Sequence, residues 1–230
     1  MTKEQYKEQL WEEYVAKCSF IEEEQKATTK EIGLLFRDDV TFLYQVYRSL
    51  SSHGGAMEDE RTCVQYEILD EYRILRRGSA EIAFSEEVMM RVVADMIDIF
   101  EDILPMGSVV DLKKDFLTQK VGLGQVDQIR MIITKRFLSG ERGGYYPYAA
   151  LVYPLGVGKS NHNICFTSAM IEKVVRRGYS DEVEDAFVYY MKHQLIVTEE
   201  RKSMGFANEV EQEEMRQLIF RGGEENGGRG

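Results

Sequence analysis

From about Thr2 to Leu50, apolar residues recur at three- and four-residue spacing. Trp11, Tyr14, Cys18, Ile21, Ile32, Leu35, Phe42 and Val46 fall on one heptad seam, which also carries Gln25, Thr28 and Asp39. Polar seam positions cost stability but fix register against a partner helix. This spacing predicts one helix of about 45 residues, or two with a break near Thr28-Thr29. Ser51-Ser52-His53-Gly54-Gly55 reads as a turn. A second helical pattern then runs from about Glu58 to Ile82 through Val64, Ile68, Tyr72 and Leu75. Two helices joined by a short glycine-rich turn predict an antiparallel hairpin. A third helix is signalled by Ser85 as N-cap with Glu86 and Glu87 in the first turn. Its apolar face is Met89, Val92, Val93, Met96, Phe100 and Ile103, and Pro105 stops it.

After Pro105 the period changes to two. Val109 and Leu112, then Ile129, Met131 and Ile133, then Tyr146, Tyr148, Ala150 and Val152 read as half-buried strands, with Ile164-Cys165-Phe166 as a short fourth. Gly122-Leu123-Gly124 and Gly140–Gly144 are the turns between them. Strands this close in sequence pair most easily as antiparallel neighbours, which predicts a small sheet or partial barrel. Helical patterns return at Ala169–Val175 and after the N-cap signal Ser180-Asp181-Glu182, where Val183, Phe187, Tyr190 and Leu195 form the apolar face. A last amphipathic helix (Val210, Met215, Leu218, Ile219) precedes the tail 222–230, which has nothing to bury and reads as disordered. The expected fold class is α+β: residues 1–104 an acidic helical hairpin region with a third helix, 105–200 a small α+β domain, 201–221 a helix, 222–230 a tail.

Charge divides the chain unevenly. Residues 1–104 hold 23 Asp/Glu and 12 Lys/Arg, and residues 105–230 hold 17 of each, so the whole net charge of −11 precedes Pro105. Such a field repels nucleic acid and anionic lipid, which makes both poor partners for the first half and a basic protein surface a better one. No window approaches a membrane-spanning apolar run, and the start lacks a basic region followed by an apolar one. The expected location is therefore cytoplasmic, unless a signal-less route exports the chain.

The order Leu104-Pro105-Met106-Gly107-Ser108-Val109-Val110-Asp111-Leu112, Met131-Ile132-Ile133, Tyr146-Pro147-Tyr148 to Tyr153-Pro154-Leu155-Gly156, and Ile171-Glu172-Lys173-Val174 to Gly178-Tyr179 resembles a small uncharacterised domain family. Members of that family occur in Gram-positive bacteria beside type VII secretion genes and LXG-type toxins. The resemblance covers about residues 104–179 and implies a setting rather than a reaction. The first half is more distantly similar to the small helical partners encoded with such toxins, although it has no Trp-x-Gly at its turn. Tyr66-Glu67-Ile68-Leu69-Asp70 fits a Tyr-x-x-x-Asp/Glu pattern associated with some type VII substrates. It lies inside a predicted helix, where a pattern so short reads as ordinary helix surface.

No set of residues points to catalysis. Gly156-Val157-Gly158-Lys159-Ser160 looks like the end of a phosphate loop, but the position that needs the first glycine is Tyr153, and the residues after the lysine read as turn and strand. Ser160, His162 and Cys165 are merely near in sequence, and a strand sends His162 and Cys165 to opposite faces. Cys18, Cys63 and Cys165, with His53, His162 and His193, lack metal-ligand spacing, and the three cysteines read as buried or half-buried small apolar residues. The expected function is non-enzymatic and needs no cofactor. It is an accessory protein of type VII secretion that binds a toxin or its helical partners as adaptor or targeting chaperone, or else an immunity protein for a co-encoded toxin. Trp11, Tyr14, Ile21, Ile32, Leu35, Phe42, Val46, Tyr146 and Tyr148 are the candidate partner interface, with self-association as a further use of the seam. The alternative use of those residues is internal packing.

Overall fold

The computed structural model describes residues 1–52, 54–113, 129–139, 143–156 and 163–206. The elements run α1 (Lys3–Lys17), α2 (Glu23–Leu34), α3 (Thr41–Ser52), β1 (Met57–Asp59), β2 (Val64–Leu69), β3 (Tyr72–Arg77), β4 (Ala80–Ser85), α4 (Glu86–Phe100) and β5 (Val109–Leu112). They continue with β6 (Ile129–Ser139), β7 (Tyr145–Val152), β8 (Ile164–Phe166), β9 (Ile171–Arg176) and α5 (Glu182–Lys192), which a π-helical turn extends over His193–Thr198. The fold is α+β with two antiparallel sheets, ordered β1-β2-β3-β4 and β8-β7-β6-β5-β9, neither closed into a barrel. Two compact units share the chain, Met1–Asp102 with Asp185–Glu200, and Ile103–Glu184 with Arg201–Gly230.

The predicted helical hairpin is replaced by three short helices and a sheet. Asp39, read as a polar seam position, instead accepts from the backbone N–H of Thr41 at 2.8 Å and caps the start of α3. The chain over Glu58–Ile82 is strand, not helix. Val64, Tyr66, Leu75, Ile82 and Phe84 are buried on one face of a meander whose pairs include Tyr66↔Leu75 and Leu75↔Ile82. Its tight turns sit at Asp70, with φ 53°, and Gly78, with φ 59°, the left-handed conformations that two-residue hairpin loops require. Spacings of three and four fit a helix face, and here they also arise from strands folded back on each other. The third helix forms as expected: Ser85 Oγ accepts from Val88 N–H, and Met89, Val92, Val93, Met96 and Phe100 are buried.

In the first unit Trp11 is the centre of packing. Its indole is fully buried, stacks on Tyr14 at 5.4 Å and tilts against Phe100 at 5.6 Å. Its Nε1–H donates to Lys30 O at 3.1 Å. A Cβ at Gly33 would lie 2.4 Å from the ring, so α2 can cross α1 only where it has no side chain.

The same unit buries charge. Lys192, 3 % exposed, donates to the carbonyls of Ile99 (3.0 Å) and Glu101 (2.5 Å). It therefore caps the C-terminal end of α4, where the helix dipole is negative. Burial, with Lys7 nearby, lowers its pKa to about 8, against the pull of Glu101, Asp98 and Asp102. Burial opposes ionisation at Asp102 too, but hydrogen bonds from Lys3 and Lys7 (2.5 and 2.8 Å) bring its carboxyl down to about 2. Above pH 8 the folded chain releases the Lys192 proton while the unfolded chain still holds it, so stability rises with pH. The rise ends near pH 9, because burial pushes the Cys18 thiol from 9.0 up to about 11 and the unfolded chain then loses a proton that the folded chain keeps. Buried Tyr14, whose pKa is also raised by burial, adds to this above its ordinary value of 10. Denaturant unfolding across pH 7.5–9 is expected to show the rise, and Lys192→Met to flatten it. A flat profile in the unsubstituted chain contradicts the assignment.

In the second unit the predicted strands β5–β8 pair antiparallel. The helix expected at Ala169–Val175 is instead a 3-10 turn at Ser168–Met170 followed by edge strand β9, in keeping with the β-branched Ile171, Val174 and Val175. The apolar face expected on α5 is not buried: Val183, Phe187 and Tyr190 are 75 %, 43 % and 62 % exposed. Cys63, expected to be at least half-buried, is exposed at a turn with φ 56°. Residues 201–206 form no helix, and the rest of the predicted C-terminal helix and the tail lie outside the described residues, as do His53, Gly122–Gly124 and Gly140–Arg142.

Two motifs of the second unit meet. Ser108 is fully buried; its hydroxyl donates to Pro105 O at 2.7 Å and accepts from Gly178 N–H at 2.9 Å. Gly107 N–H donates to Ile133 O, and Ile133 N–H to Ser108 O. A Cβ on Gly178 would stand 2.1 Å from Met106 O. The segment entering β5 is thus clasped between β6 and the segment leaving β9.

Candidate interaction face

The second sheet is one-sided. Val110, Leu112, Met131, Ile133, Tyr148, Ala150 and Phe166 share a face and are all buried. The opposite face is built in rows by the strand register. One row is Lys173–Asp111–Arg130, with Tyr153 next in line through its N–H bond to Arg130 O. The next is Arg176–Val109–Ile132–Leu151, and a third is Lys135–Ala149–Cys165. Lys135, Lys173 and Arg176 are exposed, Tyr153 is 54 % exposed, and Val109, Ile132 and Leu151 are half-buried. Antiparallel sheets commonly leave one face to solvent, but that face is then ordinarily polar. Here an aliphatic row runs across it.

Three irregularities shape this face. The register shifts between the pairs Leu112↔Ile171 and Asp111↔Lys173, which makes Glu172 an extra residue of β9, and between Val110↔Val174 and Val109↔Arg176, which makes Val175 another. It shifts again between Ile133 and Lys135, which makes Thr134 extra in β6. Without these shifts Lys173 (counted from Ile171), Arg176 (counted from Val174) and Lys135 (counted from Ile133) would each fall on the buried face; each bulge turns its cation outward. Asp111 is 1 % exposed and receives both Arg130 Nε (2.8 Å) and Nη2 (3.2 Å). The hydrogen bond to Asp111 in turn raises the pKa of Arg130. Lys135, Lys173 and Arg176 make no ion pair among the described residues.

The residues proposed from sequence sit elsewhere. Trp11, Tyr14, Ile21, Ile32, Phe42 and Val46 are 0–6 % exposed in the core of the first unit, and Leu35 is half-buried there. Tyr146 and Tyr148, at 8 % and 1 %, are packed within the second unit. Tyr148 also accepts from Leu104 N–H at 3.0 Å. The residues of the open face carry little sequence signal, because β9 has a helix-like pattern and bulges leave no mark in the hydrophobic pattern. Of the phosphate-loop-like run only Gly156 is described; Val157–Ser160 and His162 lie outside the described residues. Cys165 pairs with the fully buried Ala149 and packs against Tyr146 and Met204. Among the described residues no cluster of three or more His, Cys, Asp or Glu is placed to hold a metal ion. No helix among them is long and apolar enough to cross a membrane.

Residues 103–187 match the family described as domain of unknown function DUF4176. The whole open face, Val109 to Arg176, lies inside that match. No curated protein and no solved structure is similar enough to the chain to count as a match.

Proposed function

We propose that the chain is a non-enzymatic accessory protein that works by binding another protein, with the open face of the second sheet as the binding surface. The observation that carries this reading is the half-buried aliphatic row Val109–Ile132–Leu151 beside Lys135, Lys173 and Arg176, exposed cations that make no ion pair among the described residues. Apolar centres with polar rims are how protein interfaces are built. The setting is the one the family resemblance suggests: type VII secretion beside an LXG-type toxin, where the chain serves as adaptor or targeting chaperone for the toxin or its helical partners. A second reading, immunity against a co-encoded toxin, draws on the net −11 before Pro105, since complementary fields speed association with a basic target.

The test is affinity capture from the native host with the unsubstituted chain and with Ile132→Ser/Leu151→Ser. The expected result is one co-purifying protein, lost from the double variant while the melting temperature changes little. An N-terminal helical region of a toxin as the bound part means adaptor, and its catalytic end means immunity. Equal capture by both forms contradicts the assignment of the face.

A further inference from the structure

We infer that the open face takes an acidic amphipathic helix of the partner protein. This rests on the protein-binding reading above and adds the chemistry of the occupant. The aliphatic row crosses three strands, a width of about 10 Å at sheet spacing. Arg130 and Lys173 lie one row to one side, about 7 Å along the strands, and Lys135 lies a row to the other side. Two cationic flanks about 14 Å apart across an apolar line suit a helix about 10–12 Å wide. The complement of that pattern is an apolar stripe with carboxylates on both sides. Arg176 closes the end of the row beside Val109.

Charge selects the same occupant. The face presents Arg130, Lys135, Lys173 and Arg176 against a single acid in its rows, Asp111, both of whose oxygens Arg130 already holds. Like charges placed opposite a basic helix would repel it, whereas an acidic helix meets complementary flanks. A nucleic acid strand would also meet the cations. It asks for aromatic stacking platforms, however, and the central row is aliphatic, on a chain of net charge −11. The three bulges matter here because they bring three of the four cations, Lys135, Lys173 and Arg176, to the face.

Fluorescence anisotropy on the full chain tests this with three probes. They are an about 20-residue helical peptide with a leucine stripe flanked by glutamates, its twin with lysine flanks, and a single-stranded DNA oligomer. The glutamate peptide is expected to bind at least about tenfold tighter than the lysine twin at low salt, with the preference shrinking as salt rises. Lys173→Glu/Arg176→Glu, both at exposed positions, is expected to reverse the preference without lowering the melting temperature. No preference, an unchanged preference in the charge-reversed variant, or tighter binding of the DNA overturns the inference. If peptide preference is absent while Ile132→Ser/Leu151→Ser still loses the captured protein, the acidic helix falls and the binding reading stands. If that double variant also keeps its partner, both fall.

Discussion

Leu35→Asp/Phe42→Asp is expected to leave the first unit without a cooperative fold. Phe42 is 4 % exposed and stacks on the buried Phe36 at 5.7 Å, so aspartate there places an unpaired carboxylate against aromatic rings. Leu35 is half-buried at the end of α2 and adds a smaller cost. Together these take away most of a typical domain stability of about 5–15 kcal/mol. The chain has one tryptophan, Trp11, and it is fully buried in this unit, so its emission reports the outcome. The expected spectrum of the variant matches that of the denatured chain. Native emission and normal melting, combined with loss of a bound partner, would instead make the seam an interface.

The second large effect is expected from Gly178→Ala. The added Cβ would fall 2.1 Å from Met106 O and 3.0 Å from its carbonyl carbon, both backbone atoms that no rotamer change moves. Accommodating it means breaking the Gly178 N–H bond to Ser108 Oγ and shifting the entry to β5. The clash and the lost buried hydrogen bond together cost about 2–4 kcal/mol. Denaturant unfolding followed by tyrosine signals of the second unit checks this. Ser108→Ala, which removes the hydrogen bonds but adds no atom, is expected to cost less than Gly178→Ala. An alanine variant as stable as the parent contradicts the clasp.

The second half of the chain was easier to read than the first because its strands carry plain period-two patterns bounded by glycines. Met131, Ile133 and Ala150 mark the strands by their alternation, but the same alternation does not say which tyrosine row is covered: Tyr146 and Tyr148, offered as interface, are packed inside. Helix α4 was equally legible, since Ser85, the acidic first turn and Pro105 mark it from both ends. The meander over residues 57–85 was not. Val64, Ile68, Tyr72 and Leu75 are spaced like a helix face, and the turn residues that decide the matter, Asp70 and Glu71, are ordinary charged residues rather than glycine or proline. Strand β9 carries a helix-like pattern for a related reason: its exposed Glu172, Lys173 and Arg176 resemble a solvated helix surface. The heptad seam was real as a set of buried residues, but α1, α2 and α3 assemble it from three short helices. The candidate face depends on register and bulges, which local spacing does not carry.

Hydrogen–deuterium exchange on the full chain, with and without the captured partner, tests the central claim most directly. Protection on binding is expected in residues 129–135, 149–153 and 171–176, the segments of β6, β7 and β9 that build the open face. Protection confined to α1, α2 and α3, with those three segments unchanged, would contradict it.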